Sequence, residues 1–301
     1  IPPSLFLSDP RFFLNLGIMK VAAVLRDAGH TVSVLDLSAV ENYLDVVRDY
    51  VKNQQPDCVG ITAVSPQMPT AAKVAESIRA QSPTIRLILG GPHATLTSTA
   101  ARYEKEHFLE SRATRALNKL YHLFDVVVSG DGERAIFAAI ENNAPALVDA
   151  DDAKSSLFLN KDDLEILPFP ARELVDVSSY HYTIDEKPAL SIIAQLGCPF
   201  ECGFCGGRLS PFLRRVRLRP TENVIAEMRH LHKTYGTTAI MFYDDELNVN
   251  KNMVQLMHAI AELGRELGIE WKLRGFIKAE LFTDEQAKAM YKAGFREILV
   301  G

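Results

Sequence analysis

Two successive series of helical segments and short apolar runs dominate this sequence and restrict its fold to the α/β class. In the first series, helical periodicity over residues 16–28 and 41–53 alternates with short apolar runs at 31–37, 58–63, 85–89 and 124–129. Strands that alternate with helices in this way are typical of βαβ units and a parallel sheet. We therefore expect a doubly wound, flavodoxin-like sheet in the first part of the chain.

The residues that follow these strands are the candidates for ligand binding, because ligands of open α/β sheets bind outside the carboxyl ends of the strands. Glycines at such positions let the backbone approach a ligand closely. The candidates are Ser65, Gln67, Gly90, Gly91, Pro92, His93, Gly130, Gly132 and Glu133. We expect all of them to lie on one rim of the sheet.

The second series begins near residue 189. Its predicted strands cover residues 189–196, 238–243, 270–276 and 296–300, and its predicted helices cover 221–235, 250–267 and 283–293. Four such repeats suit a partial (β/α) barrel better than a second open sheet, although the periodicity alone does not decide between them.

The two series give a domain division. We expect residues 1–145 to form the first domain, truncated at its start, and residues 189–301 to form the first part of a barrel, truncated at its end. Residues 146–188 contain many acids and a Pro168-Phe169-Pro170 turn, so we place the interdomain linker there.

Composition excludes several classes of protein. With 47% hydrophobic and 24% charged residues, the 301-residue chain has an ordinary globular composition. It shows no apolar run of membrane-spanning length and no secretory leader, so we expect a cytoplasmic protein without membrane contact. The net charge of -5 argues against nucleic acid as a partner.

Three of the four cysteines lie within eight positions, directly after a predicted strand. Cys198, Cys202 and Cys205 have the spacing CxxxCxxC and are flanked by glycines. A cubane cluster has four irons and ordinarily four Cys ligands, so three thiolates would leave one iron open. A structural zinc loop and three unrelated core cysteines are the alternatives, but this loop has no fourth zinc ligand. The fourth cysteine, Cys58, lies in a strand and is expected in the core.

This spacing, with an aromatic residue before the third cysteine, resembles the signature of the radical S-adenosylmethionine (SAM) superfamily. The resemblance implies a 4Fe-4S cluster on Cys198, Cys202 and Cys205, with SAM on the open iron. Phe204 is the aromatic residue and a candidate for SAM binding. An external electron donor such as flavodoxin or ferredoxin is also implied.

An acidic segment follows the second predicted barrel strand. This segment, residues 242–248, resembles a sequence that lies beside SAM in cobalamin-linked radical SAM enzymes. The resemblance makes Asp244 and Asp245 candidates for cofactor binding. Capping of the next helix by Asp245 or Asn248 is the alternative. Five arginines lie between residues 208 and 219, and one of them is a candidate to bind the carboxylate of SAM or a charged substrate. We expect most of the five to be solvated.

The rim segments of the first domain resemble the cobalamin-binding domain found in front of radical SAM barrels. A generic flavodoxin-like domain is the alternative, in which Gly90-Gly91-Pro92 only turns the chain. The Asp-x-His-x-x-Gly phrase that supplies a cobalt ligand in many methyltransferases does not occur. We therefore expect cobalamin without a protein His ligand. Residues 100–123 depart from the family and predict an additional helix.

The implied pair of cofactors restricts the reaction class, because cofactors perform the difficult chemistry. The resemblance favours methyl transfer to an unactivated carbon or phosphorus centre of a small-molecule substrate. Cyclisation or rearrangement without methyl transfer and a non-catalytic cobalamin or cluster carrier are the alternatives.

Overall fold

The computed structural model of the protein describes residues 11–109 and 111–300. The first domain contains six helices and four strands in this part of the chain. They are α1 (Leu16–Asp27), α2 (Tyr43–Gln54), β1 (Cys58–Thr62), α3 (Met68–Gln81), β2 (Arg86–Gly90), α4 (Pro92–Glu106), α5 (Arg112–Leu123), β3 (Val126–Gly130), α6 (Gly132–Ala139) and β4 (Leu147–Ala150).

The four strands form one parallel sheet in the order β1-β2-β3-β4, with helices on both faces. Leu87 and Leu89 pack into a core with α2 and α3, whereas Ile88 between them packs into a second core with α1 and α6. Strand side chains alternate between the two faces of a sheet, so a continuous apolar run fills both cores. The predicted α/β, doubly wound architecture is confirmed.

The predicted strand at residues 31–37 is wrong, because this segment is not part of a ladder. Its alternating pattern still has a structural basis, since Val32 and Val34 are half-buried against Ala22, Ala23 and Ala171. One side of an extended segment can be buried by packing on a helix without strand pairing. Between residues 100 and 123 the additional helix is present as α5, which packs against α4.

The segment predicted as a linker contributes to both sheets. Strand β4 pairs with β3 and completes the first sheet, so this sheet extends to Ala150. Two further elements, α7 (Lys161–Ile166) and β5 (Thr183–Ile184), precede the second series. Within β4, Leu147 and Val148 are followed at once by Asp149, so the apolar run is too short to predict a strand.

The second domain continues with ten elements. They are β6 (Lys187–Ile192), β7 (Gln195–Leu196), α8 (Pro211–Arg214), β8 (Arg217–Leu218), α9 (Thr221–Tyr235), β9 (Ala239–Phe242), α10 (Met253–Leu267), β10 (Lys272–Ile277) and α11 (Asp284–Ala293), followed by β11 (Leu299–Val300). Strands β6, β9, β10 and β11 are parallel, in the sheet order β11-β10-β9-β6-β5. The helices α9, α10 and α11 pack into one core with this sheet, as the partial barrel prediction requires.

The predicted strand at 189–196 is interrupted. Strand β6 ends at Ile192, and β7 leaves the main sheet to pair antiparallel with β8. The cysteine loop lies between β7 and β8. No helix of the described residues has the length and hydrophobicity needed to cross a membrane.

Candidate functional site

The cysteine loop is fixed at its two ends by backbone contacts. The Cys198 amide donates to the Leu213 carbonyl at 2.8 Å, and the Cys205 amide donates to the Cys202 carbonyl at 2.9 Å. Gly197, before the first cysteine, has a φ of +82°, and a Cβ there would lie 2.3 Å from the Arg215 carbonyl oxygen. A glycine is therefore required where the loop begins.

The three thiols are free, but their side chains do not converge. Cys198 and Cys202 are half-buried and Cys205 is exposed. Within residues 11–109 and 111–300, no three His, Cys, Asp or Glu side chains are gathered closely enough to hold a metal ion. The donor chemistry nevertheless fits an iron-sulfur cluster, because three uncrosslinked thiols share one loop. A Cβ at Gly203 would meet no atom within 4 Å, so the loop has space around it.

Two arginines hold the backbone of this loop. Arg214 donates to the carbonyls of Pro199, at 2.7 Å, and Phe200, and Arg208 donates to the Gly203 carbonyl. Phe204 is 94% exposed, which leaves its ring available to a ligand. Arg208 and Arg214 thus bind the chain's own carbonyls, and Arg214 also pairs with Glu201 at 3.2 Å; a role in binding the carboxylate of SAM or of a substrate stays a prediction.

The expectation that most of the five arginines are solvated is wrong. Only Arg208 and Arg215 are exposed, whereas Arg217 is 3% exposed. Arg219 is half-buried and pairs with the buried Glu227 at 2.7 Å, which also binds Arg172 at 2.8 Å. An arginine-rich stretch in the sequence does not reveal such partners, because the sequence alone does not show which acids are buried beside it.

Of the two candidate aspartates in the acidic segment after β9, one is buried and structural and the other is exposed. Asp244 is buried and accepts hydrogen bonds from the amides of Ala194 and Gln195 at the break between β6 and β7. Burial raises the pKa of Asp244 to about 7, although these bonds oppose the shift. Asp245 is exposed, so it is the better placed of the two candidates for a ligand.

The alternative that this segment caps the next helix is wrong. Asn248 instead bonds both backbone groups of Lys278: its side-chain nitrogen donates to the carbonyl at 2.9 Å, and its oxygen accepts from the amide at 2.8 Å. Helix α10 begins after Asn252, which makes no side-chain cap bond.

The first rim segment and His93 contact each other. The Ser65 hydroxyl lies 2.9 Å from Nδ1 of His93, and Nε2 of the same ring lies 3.4 Å from the Thr97 hydroxyl. Burial lowers the pKa of His93 below its ordinary value. Gln67 accepts from the Val64 amide at 3.1 Å, so its side chain stabilises its own turn.

Two of the rim glycines serve the packing of the chain itself. Gly91 has a φ of +88°, and a Cβ there would lie 2.3 Å from the Thr62 hydroxyl oxygen. At Gly130, with a φ of +87°, a Cβ would lie 2.5 Å from the backbone of Ala150. By contrast, a Cβ at Gly90 would meet no atom within 4 Å, so open space adjoins the rim at this position.

The remaining rim candidates lie at the start of α6. A Cβ at Gly132 would lie 2.8 Å from Val21, which indicates close packing on α1. Glu133 is buried and pairs with Lys20. Burial tends to raise the pKa of Glu133, but Lys20 holds it below its ordinary value. Pro92 is exposed at the first position of α4.

A buried ion pair joins the first rim to the segment behind the cysteine loop. Arg217 donates to Asp131, which directly follows β3, and to the Leu159 carbonyl at 2.9 Å. The Arg217 guanidinium also lies over the rings of Phe158 and Phe212. Arg217 was predicted only as one of five arginines of a carboxylate site, and its pairing with Asp131 was not predicted, since nothing in the sequence relates positions so far apart.

The cysteine loop itself approaches α4. A Cβ at Gly206, next to Cys205, would lie 3.6 Å from a methyl carbon of Leu96. Leu96 belongs to the second turn of α4, which starts at the Gly91-Pro92 rim. The cysteine loop and one end of the candidate cobalamin rim are therefore separated by little more than one helical turn.

Comparison with known families agrees with this two-part organisation. Residues 10–120 match the B12 binding domain family, and residues 192–301 match the radical SAM superfamily. The chain thus joins a B12-binding domain to a radical SAM domain. It belongs to the radical SAM proteins that carry a B12-binding domain, and the cofactors of these two domains are cobalamin for the first and SAM with a 4Fe-4S cluster for the second.

Individual relatives have different activities. An uncharacterized methyltransferase of Pyrococcus horikoshii is 28% identical over 95% of this chain and 60% of the relative. An anaerobic magnesium-protoporphyrin IX monomethyl ester cyclase of Rubrivivax gelatinosus is 23% identical over 94% of this chain and 50% of the relative. The chain therefore spans about half to three fifths of the length of these two relatives.

Among solved structures, the fold is similar to that of OxsB, a cobalamin-dependent SAM radical enzyme. That structure, with aqua-cobalamin and SAM bound, superimposes with a TM-score of 0.72 at 18% identity, over 100% of this chain and 43% of OxsB. At this identity the likeness concerns the fold alone.

Proposed function

We propose that this chain carries the cofactor sites of an enzyme that transfers a methyl group from methylcobalamin to an unactivated carbon or phosphorus centre. The observation that carries the proposal is the attachment of the cysteine loop region to the B12-binding domain through Arg217 and Asp131, with Gly206 against Leu96. This contact keeps the two candidate cofactor loops in one region. The similarity to a named methyltransferase favours methyl transfer.

In this proposal Cys198, Cys202 and Cys205 would hold the cluster, whose chemistry when bound would be the one-electron reduction of SAM. The exposed ring of Phe204 and the exposed carboxylate of Asp245 are available to SAM. Asp244 positions the start of the cysteine loop, because its buried carboxylate accepts hydrogen bonds from the Ala194 and Gln195 amides that precede the loop. An external flavodoxin or ferredoxin would supply the electron, and a small molecule would be the substrate.

For cobalamin, the rim offers the open space beside Gly90 and the exposed hydroxyl of Ser65. His93 stands between two hydroxyls of its own domain, so its ring nitrogens already have partners. The proposal therefore places no protein histidine on cobalt. Gln67, Gly91 and Gly130 shape the rim through the chain's own packing.

Cyclisation or rearrangement is the second candidate, favoured by the similarity to the cyclase. An isotope experiment separates the two without knowledge of the substrate. The reconstituted protein is given reduced cobalamin, SAM carrying a deuterated methyl group, and dithionite as the electron donor for the cluster, under anaerobic conditions. Methyl transfer predicts labelled methylcobalamin and one S-adenosylhomocysteine per label.

The other outcomes are equally specific. A cyclase predicts 5'-deoxyadenosine without labelled methylcobalamin, and this result would overturn the methyl transfer proposal. A non-catalytic carrier predicts neither product. A matched control is the Cys202→Ala variant, which should form no 5'-deoxyadenosine because the cluster is incomplete.

A further inference from the structure

A single buried carboxylate, that of Asp151, contacts both domains. Asp151 directly follows β4, and its side chain is fully buried. Its Oδ2 accepts from the Thr99 hydroxyl and from Arg102, both at 2.6 Å. Thr99 and Arg102 belong to α4, the helix that begins at the candidate cobalamin rim.

The other oxygen of the same carboxylate faces the second domain. Oδ1 accepts from the Ser210 hydroxyl and, at 2.9 Å, from the Phe212 amide. Ser210 is fully buried and follows the cysteine loop by five residues. It also caps α8, since its hydroxyl accepts from the Leu213 amide at 3.2 Å.

From Ser210 the contacts continue into the cysteine loop. Leu213 accepts the amide of Cys198 at 2.8 Å, and Arg214 binds the carbonyls of Pro199 and Phe200. The path from α4 to the first cysteine is therefore a short series of hydrogen bonds. The bonds to the buried Asp151 carboxylate are the strong ones in this series, because the carboxylate would keep its full desolvation cost if it lost them.

We propose that the Asp151–Ser210 contact couples the two cofactor sites, so that cobalamin binding and cluster binding strengthen each other. Ordering of α4 by cobalamin would hold Asp151 in place, and Asp151 would then hold α8 and the cysteine loop. Asp151 and Ser210 are positioning residues in this inference. It rests on the cofactor loops of the proposed function, but it holds for methyl transfer and cyclisation alike.

The test compares the dissociation constant of aquacobalamin for cluster-loaded and cluster-free protein, measured by absorbance titration under anaerobic conditions. Because coupling between two sites is reciprocal, the ratio of the two constants measures it directly. In the unmodified chain we expect the cluster to tighten cobalamin binding by about fivefold or more. In the Ser210→Ala variant the ratio should fall close to one.

Thr237→Val is the matched control. It also removes a buried hydroxyl, which bonds the Pro188 carbonyl at 3.1 Å near the start of β9, away from the cysteine loop. This variant should keep the ratio of the unmodified chain, even if its thermal stability falls as far as that of Ser210→Ala.

Asp151→Asn provides a second variant if Ser210→Ala does not fold. It preserves the side-chain volume but replaces one acceptor by a donor, so the ratio should again fall towards one. A ratio near one in the unmodified chain, or an unchanged ratio in both variants, would overturn the coupling. If the unmodified chain instead assembles no cluster, the assignment of the three cysteines in the proposed function fails. This result differs from a failure of the coupling, in which the cluster assembles but the ratio is near one.

Discussion

The Asp244 carboxylate lies 2.6 Å from the Gln195 amide and thereby joins the end of β9 to the break between β6 and β7. The cysteine loop begins only three residues after Gln195, so this carboxylate fixes the approach to the candidate cluster site. The contact explains why β6 ends at Ile192 although the apolar run continues. An internal acceptor satisfies the amides that a longer strand would have paired in the sheet.

The burial of Asp244 predicts a pH dependence of stability. Its pKa in the folded chain is raised from 3.8 to about 7. Between these values the folded state binds more protons than the unfolded state, so the free energy of unfolding should fall as the pH rises from about 4 to about 7. Asp244→Asn should reduce this fall, because the amide does not titrate and its oxygen can still accept both backbone bonds.

Urea unfolding at several pH values checks this prediction. Asp57→Asn, at an exposed acid, is the control and should show the pH dependence of the unmodified chain. An unchanged pH dependence in Asp244→Asn would show that this group is not responsible.

The three loop cysteines should behave differently from Cys58. Replacement of Cys198, Cys202 or Cys205 by Ala should abolish assembly of the cluster, whereas Cys58→Ala should retain about four irons and four sulfides per chain. The reason is that Cys58 lies in β1 and packs against the core of the first domain. Iron and sulfide analysis after anaerobic reconstitution measures the difference. Stoichiometric zinc without sulfide in the unmodified chain would contradict the assignment.

His93 gives a prediction about cobalt coordination. Ser65 and Thr97 already flank both ring nitrogens of His93. The electron paramagnetic resonance spectrum of bound cob(II)alamin should therefore show the same nitrogen hyperfine coupling in His93→Ala as in the unmodified chain. The matched variant Ser65→Ala should also leave this coupling unchanged. Loss of an imidazole nitrogen signal in His93→Ala would show that the ring moves onto cobalt.

The long elements could be predicted from the sequence because each carries its own periodic signal. Helix α9 covers the predicted residues 221–235, since its apolar positions recur with the helical period and Gly236 ends it in the left-handed conformation. Strand β4 was missed because its signal is only two apolar residues. The segment at 31–37 was predicted as a strand because alternation reports one-sided burial, which does not require pairing.

Only part of the candidate site could be predicted from the sequence. Spacing and local composition identified the cysteine loop, but the contacts of Asp131 with Arg217 and of Asp151 with Ser210 join residues 86 and 59 positions apart. No local pattern contains such a pairing. The same limit explains the burial of Arg217, whose carboxylate partner Asp131 lies in the first domain, whereas Arg208 and Arg214 bind carbonyls of the nearby cysteine loop.

Two glycines of the rim should respond differently to the same substitution. At Gly130 a Cβ would lie 2.5 Å from the Ala150 backbone, and φ is +87°, so Gly130→Ala should lower the free energy of unfolding by on the order of 3 kcal/mol. At Gly90 a Cβ meets no atom within 4 Å, so Gly90→Ala should change stability by less than about 0.5 kcal/mol. Urea unfolding measures both effects.

Cobalamin titration of the stable variant then tests the rim. If the open space beside Gly90 receives the cofactor, the added methyl group of Gly90→Ala should raise the cobalamin dissociation constant although the fold is intact. Because this methyl group would contact only the ligand, its effect separates cofactor binding from chain packing. A Gly90→Ala variant with unchanged stability and unchanged affinity would show that cobalamin does not approach the rim at the end of β2.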